Sequence, residues 1–494
     1  MTTVHRVLFP HPIESLDEYV KAGGGDGLEA AKQVEPDTLI AEIEASGLRG
    51  RGGAGFPTGT KWRTVAENRS LEAPATVVVN GAEGEPGTFK DRTILRINPY
   101  QVVEGALIAA RAVGADGVIL ALKEAFGPEV HRVREAVKEI EDAGWADGVE
   151  LIVFEGPSEY LYGEETALLE AIAGRDPLPR IAPPFRRGVK EVVETAADAA
   201  SESGLSAHVE MAGPDSDTAA APTLVDNVET LANVPRIIAR GAAWFRTEGT
   251  EKSPGTIVCT VTGSTRHHGV GEVIMGTPLR EVIEELGGGP RPGARIKAVM
   301  IGVSNALLPG ALLDTPVTYE DLAAAGSGLG TGGFMVFDDD DDLVAVTAGV
   351  SRFLAVESCG QCTPCKQDGL ALSGLLAGLS RSDQSENPLA SIESLVSTVA
   401  NESRCYLATQ HQTVVASLLE RFPDEVQAHA GITPRAAAVE PALVAELLDI
   451  ENGGAVVDVG HAEKQPDWSF DETDSGKAPA DHLGDHRADS GTST

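Results

Sequence analysis

The 494 residues carry 39 Lys and Arg against 75 Asp and Glu, a formal charge of -36 at pH 7. Such a chain is too long for one compact core, and its charge excludes nucleic acid and anionic membrane surfaces, which both select cations. The opening residues, MTTVHRVLFPHPIESLDEYV, lack a signal peptide's apolar core, and no apolar run approaches about 18 residues, so a cytoplasmic chain without membrane insertion is expected.

Residues 37–47, DTLIAEIEASG, predict a helix opened near Asp37 and stopped by Gly47. A glycine loop follows, GLRGRGGAGFPTGTKW (47–62), and then ATVVVNGAEGEPG (75–87), a short β-branched strand running into a polar loop. Helical spacing over 98–115, a strand from 117, an amphipathic helix over 128–144, a strand from 149 and a helix from 164 alternate in the manner of a parallel or mixed α/β sheet through about residue 245. Residues 255–276 read as two strands around a glycine-rich turn, 277–288 as a helix with Pro278 at its first position, and 296–302 as a strand. From 343 to 430 helical patterns dominate. After about 436 the periodicity fades into acidic, polar sequence expected to be largely disordered. The run DDDDD (338–342) reads as a solvated turn, and His267 and His268 as surface residues.

Three of the five cysteines fall in ESCGQCTPCKQDG (357–369) as C-x2-C-x2-C: Cys359, Cys362 and Cys365. Two intervening residues let neighbouring thiolates converge on one metal centre, but three are too few for a closed zinc site or a cubane cluster. Cys405, in the same helical region, is the better fourth ligand; Cys259 alternates with apolar residues in TIVCTVTG and reads as core. Spacing alone leaves a [4Fe–4S] cluster, a zinc ion and no metal all open, with a compact trio plus one remote cysteine pointing towards the cluster.

GRGGAG (50–55) fits G-x-G-x-x-G, yet a helix precedes it and a proline follows, so it is not the dinucleotide fingerprint that links a strand to a helix. Six glycines within 47–59, with Arg51 and Lys61, still let backbone N–H groups approach a phosphate. Two acidic loops, Glu83 and Glu85 in NGAEGEPGTFKDR and Glu164 and Glu165 in YLYGEETALLE, each follow a strand, where open α/β sheets place ligands.

Together with PPF (183–185), TLVDNVETLANVP (223–235) and GSGLGTGG (326–333), these stretches resemble the NADH-binding flavoprotein subunit of respiratory complex I and the diaphorase subunits of NAD-linked hydrogenases and formate dehydrogenases. The resemblance spans about residues 40–430. It implies an α/β chain with an FMN-binding, Rossmann-like domain (1–248), a ubiquitin-like β-grasp domain (249–334), a helical bundle (335–435) carrying a [4Fe–4S] cluster on Cys359, Cys362, Cys365 and Cys405, and the acidic tail (436–494). It places FMN and NAD(H) near Gly50, Arg51, Gly52, Gly53, Gly55 and Lys61. It puts Asn80, Glu83, Glu85, Tyr160, Gly163, Glu164, Asn227 and Thr230 around the flavin, and Phe56, Glu165 and Phe185 beside NADH. Ala82, Tyr162, Ala182, Thr64 and Asp226 depart from the family's usual Asp, Cys, Lys, aromatic and Asn. Ala82 and Asp226 are expected to alter charge or hydrogen bonding near the flavin, and Ala182 and Thr64 to weaken dinucleotide binding.

The function so implied is an electron-input subunit that oxidises NADH through FMN, with no side chain needed as general acid or base. It would pass single electrons through the cluster to a partner iron–sulfur or thioredoxin-like subunit of a larger electron-transfer complex. The alternative is a non-catalytic iron–sulfur relay or scaffold subunit; a zinc-stapled structural protein is a third reading.

Overall fold

The computed structural model describes residues 3–69, 74–186, 188, 221–383, 388–433, 436–470 and 476–484. Four strands, β1 (Ala75–Gly81), β2 (Ala115–Lys123), β3 (Glu150–Gly156) and β4 (Thr223–Asn227), form a parallel sheet in the order β3-β2-β1-β4. β1 and most of β2 are apolar on successive residues, the pattern of strands covered on both faces. The chain steps outward through β2 and β3, then returns to the far side of β1 for β4. Such a reversal of strand order opens a crevice at the carboxyl ends of β1 and β4.

The helix Pro99–Val113 lies almost wholly buried beneath this sheet. Its Glu104 accepts from Tyr19 Oη (2.6 Å) and from the N–H groups of Gly25 and Leu28 (both 2.9 Å), which pins the N-terminal helices to it. The helix Val228–Arg240 carries Pro235, which has no N–H to give the carbonyl of Leu231. Gly105 brings Pro99–Val113 against that same carbonyl: a Cβ there would sit 2.0 Å from Leu231 O.

A second sheet holds β5 (Thr256–Gly263), β6 (Gly269–Ile274), β7 (Ile296–Ile301), β8 (Leu308–Pro309) and β9 (Gly333–Asp338) in the order β6-β5-β9-β7-β8. Only β5 and β9 run parallel, and the helix Leu279–Gly287 packs across β5 and β6, the β-grasp arrangement. Pro278 is the cap residue rather than the first helical one. Cys259, fully buried on β5, is core.

Helices Leu343–Glu357, Thr363–Ser380, Pro388–Thr398, Leu407–Arg421 and Pro423–His429 form the bundle. The aspartate run before it is not simply a solvated turn. Asp338 is buried and accepts from Nε and Nη2 of Arg291 (2.6 Å each), Asp341 accepts from Ser264 Oγ (2.6 Å), and Asp342 caps Leu343–Glu357 through Ala345 N (2.8 Å). Only Asp339 and Asp340 are exposed. His267 is exposed, but His268 joins two segments, its Nδ1 accepting from Ala455 N at 2.8 Å.

The expectation of a largely disordered tail fails for its described part. Strands β10 (Leu447–Glu451) and β11 (Gly454–Val457) pair as a hairpin. Lys123 reaches Glu446 (2.6 Å) and Arg96 reaches Asp449 (2.8 Å). Further on, Lys464 and His461 meet the buried Glu357 at 2.8 and 3.0 Å. The acidic residues that looked like solvating charges in the sequence are partners for cations of the folded body; 485–494 lie outside the described residues. No described helix is long and apolar enough to cross a membrane.

Two outcomes follow from this packing. Gly105→Ala forces a methyl group onto the Leu231 carbonyl and lowers stability by roughly 2–3 kcal/mol, read as a fall in the thermal midpoint. Burial alone would raise the Glu357 carboxyl, but Lys464 and His461 outweigh it and bring it down to about 2. Because the folded value lies below the unfolded one near 4.3, this stabilisation is present above that pH and is lost as pH falls towards 2. The thermal-midpoint gap between wild type and Glu357→Gln is therefore wide at pH 6 and narrows through this acid range.

Candidate functional site

The crevice at the ends of β1 and β4 is a cavity of about 370 Å³, within the range that holds small ligands and cofactors. The glycine loop forms one wall. It is pinned by Gly50 N to Phe56 O (2.8 Å) and by Arg51 N to Thr230 Oγ1 (2.8 Å), and it leads into the helix Thr58–Asn68. At the end of β1, Asn80 donates to Gly163 O (2.9 Å) and accepts from Ala82 N (3.1 Å), tying this strand to the turn that follows β3. At the end of β4, Asn227 caps the next helix through Glu229 N (3.0 Å) and donates to Asp91 (2.7 Å).

Fourteen of the expected residues line this space: Gly50, Gly52, Gly55, Phe56, Lys61, Asn80, Glu83, Glu85, Tyr160, Gly163, Glu164, Glu165, Asn227 and Thr230. The other three do not. The Arg51 guanidinium is 1% exposed and turns beneath the loop, its Nη2 to Thr256 O (2.9 Å) and its Nη1 to Tyr319 Oη (3.1 Å), so it serves the β-grasp interface instead of a phosphate. Gly53, at φ +120°, faces Thr331. Phe185 packs on the core of the first sheet, because Pro184 O accepts from Thr223 N at the starting end of β4, opposite the crevice. Sequence reasoning missed Asp91, Thr331, Tyr406 and Gln410, which reach the cavity from three separate segments, Tyr406 capping the helix that carries Gln410.

The lining is acidic. Among the described residues Lys61 is its one cation, and it is already held by Glu165 and the Val225 carbonyl. Burial alone would lower Lys61, but Glu165 and Asp226 outweigh it and keep it firmly charged. Asp226 accepts from Trp62 Nε1 (2.8 Å); burial outweighs both Lys61 and this hydrogen bond and raises its carboxyl to about 6. Burial likewise raises Glu85 and Glu164. Glu164 caps the helix that follows, accepting from Thr166 N and Ala167 N (3.0 and 2.8 Å). Behind the lining, Lys90 bridges Asp91 (2.7 Å) and Glu229 (3.0 Å), and Arg92 holds Glu83 (3.0 Å), all out of water.

Of the five departures, Ala82 and Asp226 line the cavity, whereas Thr64 and Ala182 do not. Tyr162 is fully buried, its hydroxyl on Leu122 O (3.3 Å).

The glycines make the cavity fit a closely approached ligand. A Cβ on Gly163 would lie 2.8 Å from Ala82 O, and one on Gly52 would lie 3.2 Å from the Asn227 Cβ, so side chains at these positions would close the space. This is the cradle a flavin phosphate and ring require.

The four cysteines surround a second, small cavity. Cys359 and Cys365 are buried, and Cys362 and Cys405 partly so. Gln361 Nε2 donates to Cys359 Sγ (3.5 Å), and Ser358 Oγ lies 3.3 Å from Cys365 Sγ. Burial pushes the Cys365 thiol up to about 11 and that of Cys405 up to about 12, so a metal must displace these protons to bind. Among the described residues no three His, Cys, Asp or Glu side chains are placed to hold a single metal ion. Four cysteine sulfurs around one cavity are the ligand set of a [4Fe–4S] cluster, in which each thiolate meets its own iron. Leu161, Cys405 and Leu407 line both cavities, so the two sites share a wall.

Comparison with known proteins agrees with this geometry. Residues 43–236 match the Nuo51 FMN-binding domain family, and residues 345–429 match the NADH-ubiquinone oxidoreductase-F iron-sulfur binding region. The F 2 subunit of the NADH-quinone oxidoreductase of Rhizobium meliloti (strain 1021) is 34% identical, across 84% of this chain and 94% of its own. The F subunit of the NADH-quinone oxidoreductase of Streptomyces coelicolor (strain ATCC BAA-471 / A3(2) / M145) is 36% identical, across 87% and 90%. Among solved structures, an NAD+-reducing [NiFe]-hydrogenase in the H2-reduced state aligns with a TM-score of 0.71 and 31% identity, over 85% of this chain and 67% of that one. A chain with this cavity, these cysteines and this extent of likeness belongs to the family of NADH-quinone oxidoreductase F subunits.

Proposed function

We propose that this chain is an electron-input flavoprotein subunit: it oxidises NADH on FMN and sends electrons singly through a [4Fe–4S] cluster to a partner subunit. The observation that carries the reading is the shared wall, which leaves side chains of Leu161, Cys405 and Leu407 between a glycine-lined cofactor cavity and four cysteines. Residues 1–248, 249–334 and 335–435 are assigned as the flavin, β-grasp and cluster portions.

Bound FMN supplies two-electron uptake with one-electron release, and an iron–sulfur cluster supplies one-electron acceptance. The chain's own part is to hold and orient. Backbone N–H groups of the glycine loop and the Lys61 ammonium are assigned to the flavin phosphate. Asn80, Glu83, Tyr160, Gly163, Glu164, Asn227 and Thr230 are assigned to the ring and ribityl chain. Phe56, 53% exposed at the cavity mouth, and Glu165 are assigned to NADH. Cys359, Cys362, Cys365 and Cys405 are assigned to the cluster. The buried pairs Lys90–Asp91 and Arg92–Glu83 keep the floor dry and fixed, which favours direct hydride delivery over loss to water. No side chain is required to move a proton during that delivery.

Anaerobically reconstituted protein is expected to show flavin bands above a broad absorbance near 400 nm, both bleached by NADH. Bleaching by dithionite alone supports the relay alternative. Cys405→Ala keeps the flavin but loses at least about nine-tenths of its cluster iron. The pH dependence at Asp226 has a definite sign. Its carboxyl, at about 6, is ionised at pH 7 and neutral at pH 5, so acid removes a negative charge from a cavity that receives a phosphate. FMN affinity, measured by flavin fluorescence, rises roughly threefold over that interval, and Asp226→Asn binds more tightly than wild type at pH 7 with a flatter profile.

A further inference from the structure

The matched iron–sulfur region ends at residue 429, yet the chain beyond it returns to the cysteine loop. Lys366, next to Cys365 and nearly buried, donates to Ala355 O (3.1 Å), Ser358 O (2.7 Å) and, from the later segment, Pro466 O (2.7 Å). Glu357, two residues before Cys359, holds His461 and Lys464, both nearly buried. Arg352 donates to the carbonyls of His461, Ala462 and Lys464 (3.0, 2.7 and 3.1 Å).

Farther along, Ala480 N donates to the Cys359 carbonyl at 2.9 Å. Gly360, at φ +86°, has no side chain because Ala478 occupies the place: an added Cβ would lie 2.2 Å from the Ala478 Cβ. Trp468 and Ala480, like Cys362 and Cys405, pack against the apolar cluster that contains Cys359 and Cys365. A solvated appendage would leave its cations in water and its backbone donors unpaired with the body. This one places the Lys464 ammonium, a His461 ring nitrogen, a carbonyl and an amide against the helix end and loop that lead through the cysteines.

We propose that residues 459–470 and 476–484 seal the cysteine site, closing the Cys359–Gly360 side of the bound cluster to water and solutes. The inference rests on the reading that the four cysteines hold a [4Fe–4S] cluster. The seal is made of main-chain bonds and close packing on a glycine, so one oversized side chain is enough to lift it.

The test is the rate at which anaerobic holoprotein surrenders iron to a ferrous-iron chelator, followed by the chelate's absorbance. Ala478→Leu has no room against Gly360 and is expected to release iron at least about tenfold faster than wild type, with unchanged flavin content. A chain ending at Gln465, which loses Pro466 and Ala478–Ala480 together, behaves the same way and serves if the substitution does not fold. Release within twofold of wild type by a folded variant overturns the seal alone. A wild-type chain that assembles no iron–sulfur chromophore overturns the cluster assignment, and the seal with it.

Discussion

The cavity lies where three parts of the chain meet through one half-buried carboxylate and the tyrosine bonded to it. Glu85 accepts from Tyr160 Oη (2.7 Å) and from Val303 N of the β-grasp part (2.8 Å), and Gln410 of the bundle donates to the same tyrosine hydroxyl (3.1 Å). A carboxylate drawn largely out of water must find strong donors; the first sheet's part and the β-grasp part supply them here, and the bundle holds the tyrosine that donates. The demand for hydrogen bonds at one carboxylate thus fixes how the parallel sheet, the β-grasp sheet and the helical bundle are set around the space between them. Glu357 repeats the device, joining Tyr160 N to His461 and Lys464.

What the sequence made legible follows from locality. Glycines that permit positive φ, a proline at a helix start and a trio of closely spaced cysteines act over a few residues, and the loop, the strands and the cysteine site could be read from them. Arg51 shows where this stops. Its place in a glycine loop suggests a phosphate partner, but which way a side chain turns is decided by donors and acceptors some 200 positions later, at Pro254 and Thr256. Phe185 fails for a related reason: its position depends on a bond between Pro184 and Thr223 that no local pattern announces. The ordered hairpin at 447–457 was hidden because its acidic residues look like disorder until Lys123 and Arg96 are placed opposite them.

The electrostatics of the cavity differ from those of a site that merely attracts anions. Lys61 is countered by Glu165 and Asp226, and Lys90 and Lys123 have carboxylate partners of their own. On the proposed reading, phosphate recognition rests on oriented backbone amides more than on net charge, which limits how strongly other anions are drawn in.

The wall common to the two cavities sets what lies between them. Leu161, Cys405 and Leu407 face both spaces, so side chains rather than solvent part the two there. On the proposed reading an electron crosses this partition while the dinucleotide, far too bulky, stays on the glycine-lined side. The two-electron donor and the one-electron carrier are thus kept apart by bulk alone.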